Sequence, residues 1–301
     1  MSKILSIGSV LWDLLPGGKT IGGAPFNVAS HLRRLGHTSA VFTGIGRDAL
    51  GEETMQCIRA MGLETEFVQV HPTLPTGVAN VTFDAQHQPH YDLPHCAYDE
   101  LCADTQTLAH IQAFSPDAVC FGTYESRGQG TRHAVGAVLD TLKDALFFFD
   151  INIRVDFINE TVIRRGLSRA QIVKLNDEEA ARISPLLFGE TLMLDAFSKR
   201  LLDVFGMRLV LITCGKTGAY AFEREHTYFE PAFEFQQAPG ADSVGAGDAF
   251  SAAFLDAYLR GVNTKEALRL ACVMGGYVAS QPGALPPYSD TLFQAFSHRL
   301  S

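Results

Sequence analysis

Several short runs in this chain are apolar without alternation, and they restrict its fold more than any other feature. KILSIG (Lys3–Gly8), ALFFFD (Ala145–Asp150), IVKLN (Ile172–Asn176) and LVLIT (Leu209–Thr213) would present apolar side chains on both faces of a strand. Strands of that kind need cover on both sides. Ala40–Ile45 and Ala118–Gly122 read the same way. Between and after these runs the spacing predicts helices over Pro25–Leu35, Leu50–Met61, Gly130–Leu142, Leu192–Phe205, Gly247–Arg260, Lys265–Ser280 and Asp290–Arg299. Strand–helix alternation of this sort implies an α/β fold, a mostly parallel central sheet covered by helices on both faces.

One region departs from that texture. Thr76–Phe83 (TGVANVTF) alternates like a half-exposed strand, and Gln88–Leu93 would pair with it across a turn at Asp84–His87. Strands without intervening helices predict a small sheet projecting from the main body. Gly218–Glu223 and His226–Phe229 suggest a further hairpin.

Composition narrows the function. The chain has 301 residues, 47% apolar and 19% charged, with a net charge of −9. An acidic chain without a basic stripe is poorly suited to nucleic acid. It has no apolar run of about 18 residues, so no membrane span is expected. MSKILSIGSVLWDLL reads as an opening strand rather than a signal peptide, because Trp12-Asp13 interrupts it and no small-residue cleavage site follows. The six cysteines (Cys57, Cys96, Cys102, Cys120, Cys214 and Cys272) make no C-x-x-C pair. Reduced thiols in a cytoplasmic protein are the expectation.

Ligands of open α/β sheets bind beyond the strand C-termini. Here those ends are polar: Asp150-Ile-Asn152-Ile-Arg154, Asn176-Asp-Glu-Glu179, Thr213-Cys-Gly215, and the turn from Asp242 to Asp248. The last is the most informative. Gly245, Ala246 and Gly247 have little bulk to keep an anion from their amides, and they open a helix whose first N–H groups are unpaired and whose dipole is positive there. Asp248 follows at once. A carboxylate beside bound phosphate repels it, but is suited to take a proton from a hydroxyl attacking phosphorus. The same residues would also serve as a plain turn and a helix start. A Walker P-loop needs a Lys where Asp248 stands, and Gly22-Gly23-Ala24-Pro25 does not fit the dinucleotide spacing.

GADSVGAGDAF resembles the second signature of the ribokinase-like (PfkB-type) carbohydrate kinases, D-T/S-x-G-A-G-D-x-F, through Asp242, Ser243, Gly245, Ala246, Gly247, Asp248 and Phe250. The resemblance extends along nearly the whole chain. Ile21–Gly36 is similar to the sugar-binding motif G-G-x-x-x-N, and Pro75–Asp84 to the lid segment. Asp150–Arg154 is similar to D-x-N-x-R, Asn176–Glu179 to N-x-x-E, and Thr213–Gly218 to the phosphate loop T-x-G-x-x-G.

That resemblance implies a ribokinase-like fold. It has a large nucleotide-binding and catalytic α/β domain (residues 1–10, 24–66 and 99–301) and a small β lid (11–23 and 67–98). It implies ATP as phosphoryl donor and Mg²⁺ as its partner ion. Asp248 would be the base, with the amides of Gly245, Ala246 and Gly247 as anion hole. Asn176, Thr213, Gly215 and Gly218, with Gly245 and Gly247, would face the nucleotide. Glu179 would organise Mg²⁺ through water, or stand as an acid in a helix's first turn; Asp242 would help hold a monovalent cation such as K⁺, or anchor its loop. Asp13, Gly22, Gly23, Asn27 and Arg154 would bind the sugar. For Asp13 a strand-end turn is the bland alternative.

The segments around Trp12–Gly36 look most like the fructokinase branch, which implies fructose to fructose 6-phosphate. Ser9 stands where that branch has an acid, and Ile151 where it has a Pro, so ribose, ribosides and 2-keto-3-deoxygluconate stay open as substrates. Related lids pair into homodimers and close over the sugar to exclude water. A dehydrogenase would need the missing dinucleotide fingerprint. A non-catalytic sugar-binding regulator would be expected to lose Asp248 or its glycines. His87, His90, His95 and Cys96 lie in or near the lid and match no metal-site spacing, and the lid histidines read as solvated. His31 and His133 read as helix-surface residues, and Phe147–Phe149 as strand core.

Overall fold

A computed structural model describes residues 1–15, 18–83, 89–153 and 159–297. The Asp84–His87 turn, with His87, and Arg154 lie outside the described residues. The chain divides into two compact units, Met1–Ala145 and Leu146–Ser301.

The first unit runs β1 (Lys3–Ile7), β2 (Leu11–Leu15), β3 (Gly18–Gly22), α1 (Ala24–Arg34), β4 (Thr38–Gly46), α2 (Ala49–Ala60), β5 (Val68–His71), β6 (Val78–Phe83), β7 (Pro89–Asp92), α3 (Thr105–Phe114), β8 (Ala118–Gly122) and α4 (Gln129–Thr141). Strands β8, β1, β4 and β5 line up in that order, all parallel. Strands β3, β2, β6 and β7 form a separate small sheet. The sequence reading starts the lid at Phe67, but Val68–His71 pairs with β4, Thr43 facing Val68. The small sheet is therefore built from Leu11–Leu15, Gly18–Gly22, Val78–Phe83 and Pro89–Asp92.

The second unit runs β9 (Leu146–Asp150), α5 (Glu160–Arg169), β10 (Ile172–Asn176), α6 (Asp177–Phe188), α7 (Leu194–Phe205), β11 (Leu209–Thr213), β12 (Gly218–Phe222), β13 (Thr227–Pro231), α8 (Ala246–Leu259), α9 (Thr264–Ala279) and α10 (Asp290–Ser297). Strands β9, β10 and β11 are parallel, and the expected β12–β13 hairpin continues the sheet antiparallel. Phe147–Phe149, Ile172, Val173, Leu175 and Leu209–Ile212 are buried to 5% or less. Each such side chain removed from water stabilises the fold by about 1.5–3 kcal/mol.

Two helices fall where the sequence reading places none. TQTLAHIQAF buries only Ile111 and Phe114, while ETVIRRGLSR carries a clear buried stripe at Val162, Ile163, Gly166 and Leu167; both also carry cap signals. Asp104 accepts from Thr107 N at 2.8 Å and starts α3, and Asn159 accepts from Val162 N at 3.2 Å and starts α5. His31 corrects the surface reading: it is 0% exposed. Helix α1 buries every residue from Phe26 to Leu32 and packs against β1, β4 and β8, so it has no broad solvent face for that side chain to occupy. His133 is exposed as expected.

Asp48 ties α2 to the chain entering the small sheet. Its Oδ1 accepts from Gly51 N at 2.7 Å and from Thr76 Oγ1 at 2.7 Å, and its Oδ2 accepts from Thr76 N at 2.8 Å. Burial works to raise this carboxyl, but hydrogen bonds from Thr76 and backbone amides outweigh it and hold the carboxyl below its ordinary value. A depressed folded pKa gives stability that is present above the unfolded carboxylate range and lost as pH falls through the folded value. Asp48→Ala is expected to cost about 2–3 kcal/mol at neutral pH, from a lost cap and charged hydrogen bonds. Urea unfolding should show that deficit narrowing as pH drops below about 4.

Candidate active site

In the second unit the polar strand ends gather on one rim. Parallel register puts Asn176 opposite Thr213 and Lys174 opposite Asp150. Helix α8 meets the same rim with its N-terminus, because Ser251 Oγ donates to Asp150 Oδ2 at 2.9 Å. Asp248 stands in the first turn of α8 and is half-buried, so its carboxylate is not sealed in the core.

The glycines that precede Asp248 are explained differently than by anion access alone. Gly245 N-caps α8 at φ 75°. A Cβ there would lie 2.7 Å from Ala284 Cα, so the left-handed turn and the neighbouring loop both demand glycine. At Gly247 the missing Cβ would lie 3.1 Å from Lys174 Nζ. Within this turn Ala246 N donates to Ser243 O at 3.3 Å, and the Cα faces of Gly245 and Gly247 rest on protein.

Lys174 is the residue that the sequence reading passes over. It lies in IVKLN between side chains that are 0% exposed, and is itself 7% exposed. Its Nζ donates to Asp150 Oδ1 at 3.1 Å and Oδ2 at 3.0 Å. Burial works against its charge, but Asp150, Glu179 and Asp248 outweigh burial and raise its pKa. A lone charge inside an otherwise apolar strand was the available signal.

Glu179 and Asn176 are brought together as N-x-x-E implies, in the form of a capping box. Asn176 Oδ1 accepts from Glu179 N at 2.7 Å, and Glu179 Oε2 accepts from Asn176 N at 2.8 Å. Glu179 Oε1 accepts from Ile153 N at 2.7 Å. Burial, then the Asp150 charge, push the Glu179 carboxyl up, against these hydrogen bonds and Lys174. Asp150, Glu179 and Asp248 all act on Lys174, so the pocket's acids outnumber this cation, and a divalent cation suits that balance. Among the described residues no group of three or more His, Cys, Asp or Glu could hold a metal directly. A magnesium ion here would keep waters and take phosphate oxygens, as Mg²⁺ prefers.

The other predicted positions fall as follows. Thr213 ends β11, and Gly215 opens a short 3-10 turn with nothing within 4 Å of where its side chain would be. Gly218 begins β12, where a Cβ would lie 2.8 Å from Pro231 Cα, so the hairpin itself demands glycine there. Asp242 Oδ1 accepts from Val244 N at 2.9 Å and Oδ2 from Gly283 N at 3.2 Å, contacts that anchor its loop and leave each oxygen a further lone pair.

In the first unit, Asp13 lies mid-strand in β2, opposite Thr20 and Ala79, and not at a strand-end turn. A Cβ at Gly22 would sit 3.1 Å from Asp13 Oδ2. Gly23 caps α1, and Asn27, 4% exposed, lies in its first turn. A carboxylate, two glycines and an amide are thus set around the start of α1. His95 is solvated as expected, 58% exposed, and its Nδ1 lies 3.2 Å from Asp99 Oδ2 and its Nε2 3.6 Å from Glu100 Oε1. The six cysteines are free thiols, and burial pushes Cys96 up to about 11 and Cys272 to about 12. No helix among the described residues is long and apolar enough to cross a membrane.

The model of the pfkB family carbohydrate kinases matches residues 17–291. The chain belongs to this family. A fructokinase from Rhizobium leguminosarum bv. trifolii is 30% identical over 270 residues, covering 84% of this chain and 78% of the relative. Among solved structures, 2-dehydro-3-deoxygluconokinase from Thermotoga maritima superposes with a TM-score of 0.85 at 20% identity, covering 99% of this chain and 100% of its own. A fructokinase double mutant from Vibrio cholerae O395, solved with fructose, ADP and potassium ion, superposes with a TM-score of 0.81 at 21% identity, covering 98% of each chain. The fold is therefore ribokinase-like, and the protein is a sugar kinase of the PfkB family.

Proposed function

We propose that this PfkB kinase transfers the γ-phosphoryl group of ATP to a primary hydroxyl of a monosaccharide, with fructose as substrate and fructose 6-phosphate as product. The observation that carries the reading is Asp248 in the first turn of α8, directly after the amides at Gly245–Gly247. The amides take the charge on the moving phosphoryl group. The Asp248 carboxylate accepts the proton of the sugar hydroxyl as its oxygen attacks phosphorus and ADP leaves. Asn176, Thr213 and Gly215 are assigned to the nucleotide, and Glu179 to the waters of the magnesium ion. Bound Mg²⁺ would neutralise the phosphate oxygens. Asp13, Gly22, Gly23 and Asn27 are assigned to the sugar, whose hydroxyls need paired acceptors and donors.

Fructose is favoured by the likeness to the Rhizobium fructokinase, while the Thermotoga neighbour is named for a keto-deoxy acid. An ADP-release assay with ATP over fructose, ribose, ribosides and 2-keto-3-deoxygluconate tests the choice. Fructose is expected to have the highest kcat/KM. A different winner keeps the reaction and replaces the sugar; no ADP release with any of them overturns the kinase reading.

A further inference from the structure

Lys174 is expensive to bury. Its strand neighbours Ile172, Val173 and Leu175 are 0% exposed. A well-packed apolar pair commonly equals or exceeds a buried ion pair in stability, so stability alone does not account for Lys174 with Asp150. The pair touches α8 at two points one turn apart. Lys174 Nζ lies under Gly247, 3.1 Å from where a Cβ would be, and Asp150 Oδ2 accepts from Ser251 Oγ at 2.9 Å. Residues four apart share one helix face, so the face of α8 beneath its amides is seated on this pair.

We propose that Lys174 is a positioning residue for phosphoryl transfer: held by Asp150, its ammonium seats the first turn of α8 and adds a fixed positive charge to the amide cradle at Gly245–Gly247. This rests on the kinase reading above. In a site screened from water, such a charge needs no reorganisation as negative charge spreads over the transferred phosphoryl oxygens. Asp150 is the cation's clamp, and Gly247 is a glycine because Nζ occupies the space beside it.

The test separates this role from charge neutralisation. Lys174→Met alone leaves the largely covered Asp150 without its cation, and should melt early. Asp150→Asn with Lys174→Met removes both charges and keeps an acceptor for Ser251, so it should melt near the wild type. In that double variant kcat should fall by about 10²-fold, and the calorimetric affinity for a nonhydrolysable ATP analogue with Mg²⁺ by about fivefold or more, while the sugar KM stays within about threefold. A folded double variant with either kcat or analogue affinity within about threefold of wild type overturns the proposal, as does a sugar KM that rises as far as kcat falls. Should the double variant not fold, Lys174→Arg decides. Its planar fork keeps the charge but cannot sit under Gly247, so kcat should drop by about tenfold or more, and an unchanged kcat overturns the proposal. A wild type inactive on every sugar tested overturns the kinase reading itself, and this proposal with it, independently of the variants.

Discussion

Asp248→Asn is expected to cut turnover by about 10²–10⁴-fold while the ATP analogue and the sugar still bind. The asparagine amide fills the same space in the first turn of α8 but has no basic oxygen to accept a proton from the attacking hydroxyl. The loss corresponds to about 3–5 kcal/mol of transition-state stabilisation. Binding should be held or slightly strengthened, because a carboxylate next to polyphosphate is repulsive and its removal relieves that. Steady-state ADP release beside calorimetric binding checks both halves. Turnover within a few-fold of wild type would show that Asp248 is not the base.

Gly245→Val should damage folding as well as activity. At φ 75° a β-branched residue is strained, and its Cβ would be driven to 2.7 Å from Ala284 Cα. The combined strain and overpacking should cost about 2–5 kcal/mol in urea unfolding. The loop around Ala284 must shift, and with it the turn whose amides are proposed to receive the phosphate. Nucleotide affinity and kcat should therefore fall together with stability. Unchanged stability with lost nucleotide binding would instead return Gly245 to a purely anion-facing role.

Much of the fold was legible because its signals are local. Runs apolar on both faces marked β9, β10 and β11, and the small-residue turn before Asp248 marked the start of α8 within one residue. Those signals depend on backbone geometry over a few residues, which the order of side chains dictates. Helices α3 and α5 were missed although α5 carries an apolar stripe at Val162, Ile163, Gly166 and Leu167; the caps at Asp104 and Asn159 were local signals left unused.

The order of residues alone determined the strand–helix alternation, and acids in the first turns of the helices at Asp177 and Asp248. Only the tertiary structure decided what lies behind that acid. Ser251 meets Asp150 across 101 residues, Lys174 meets Asp150 across 24, and Gly245 is held by Ala284. Those partners are chosen by how strands and helices pack, a long-range outcome that local preference does not encode. Packing likewise buried His31 in a helix that has no broad outer face, and moved Val68–His71 onto the main sheet.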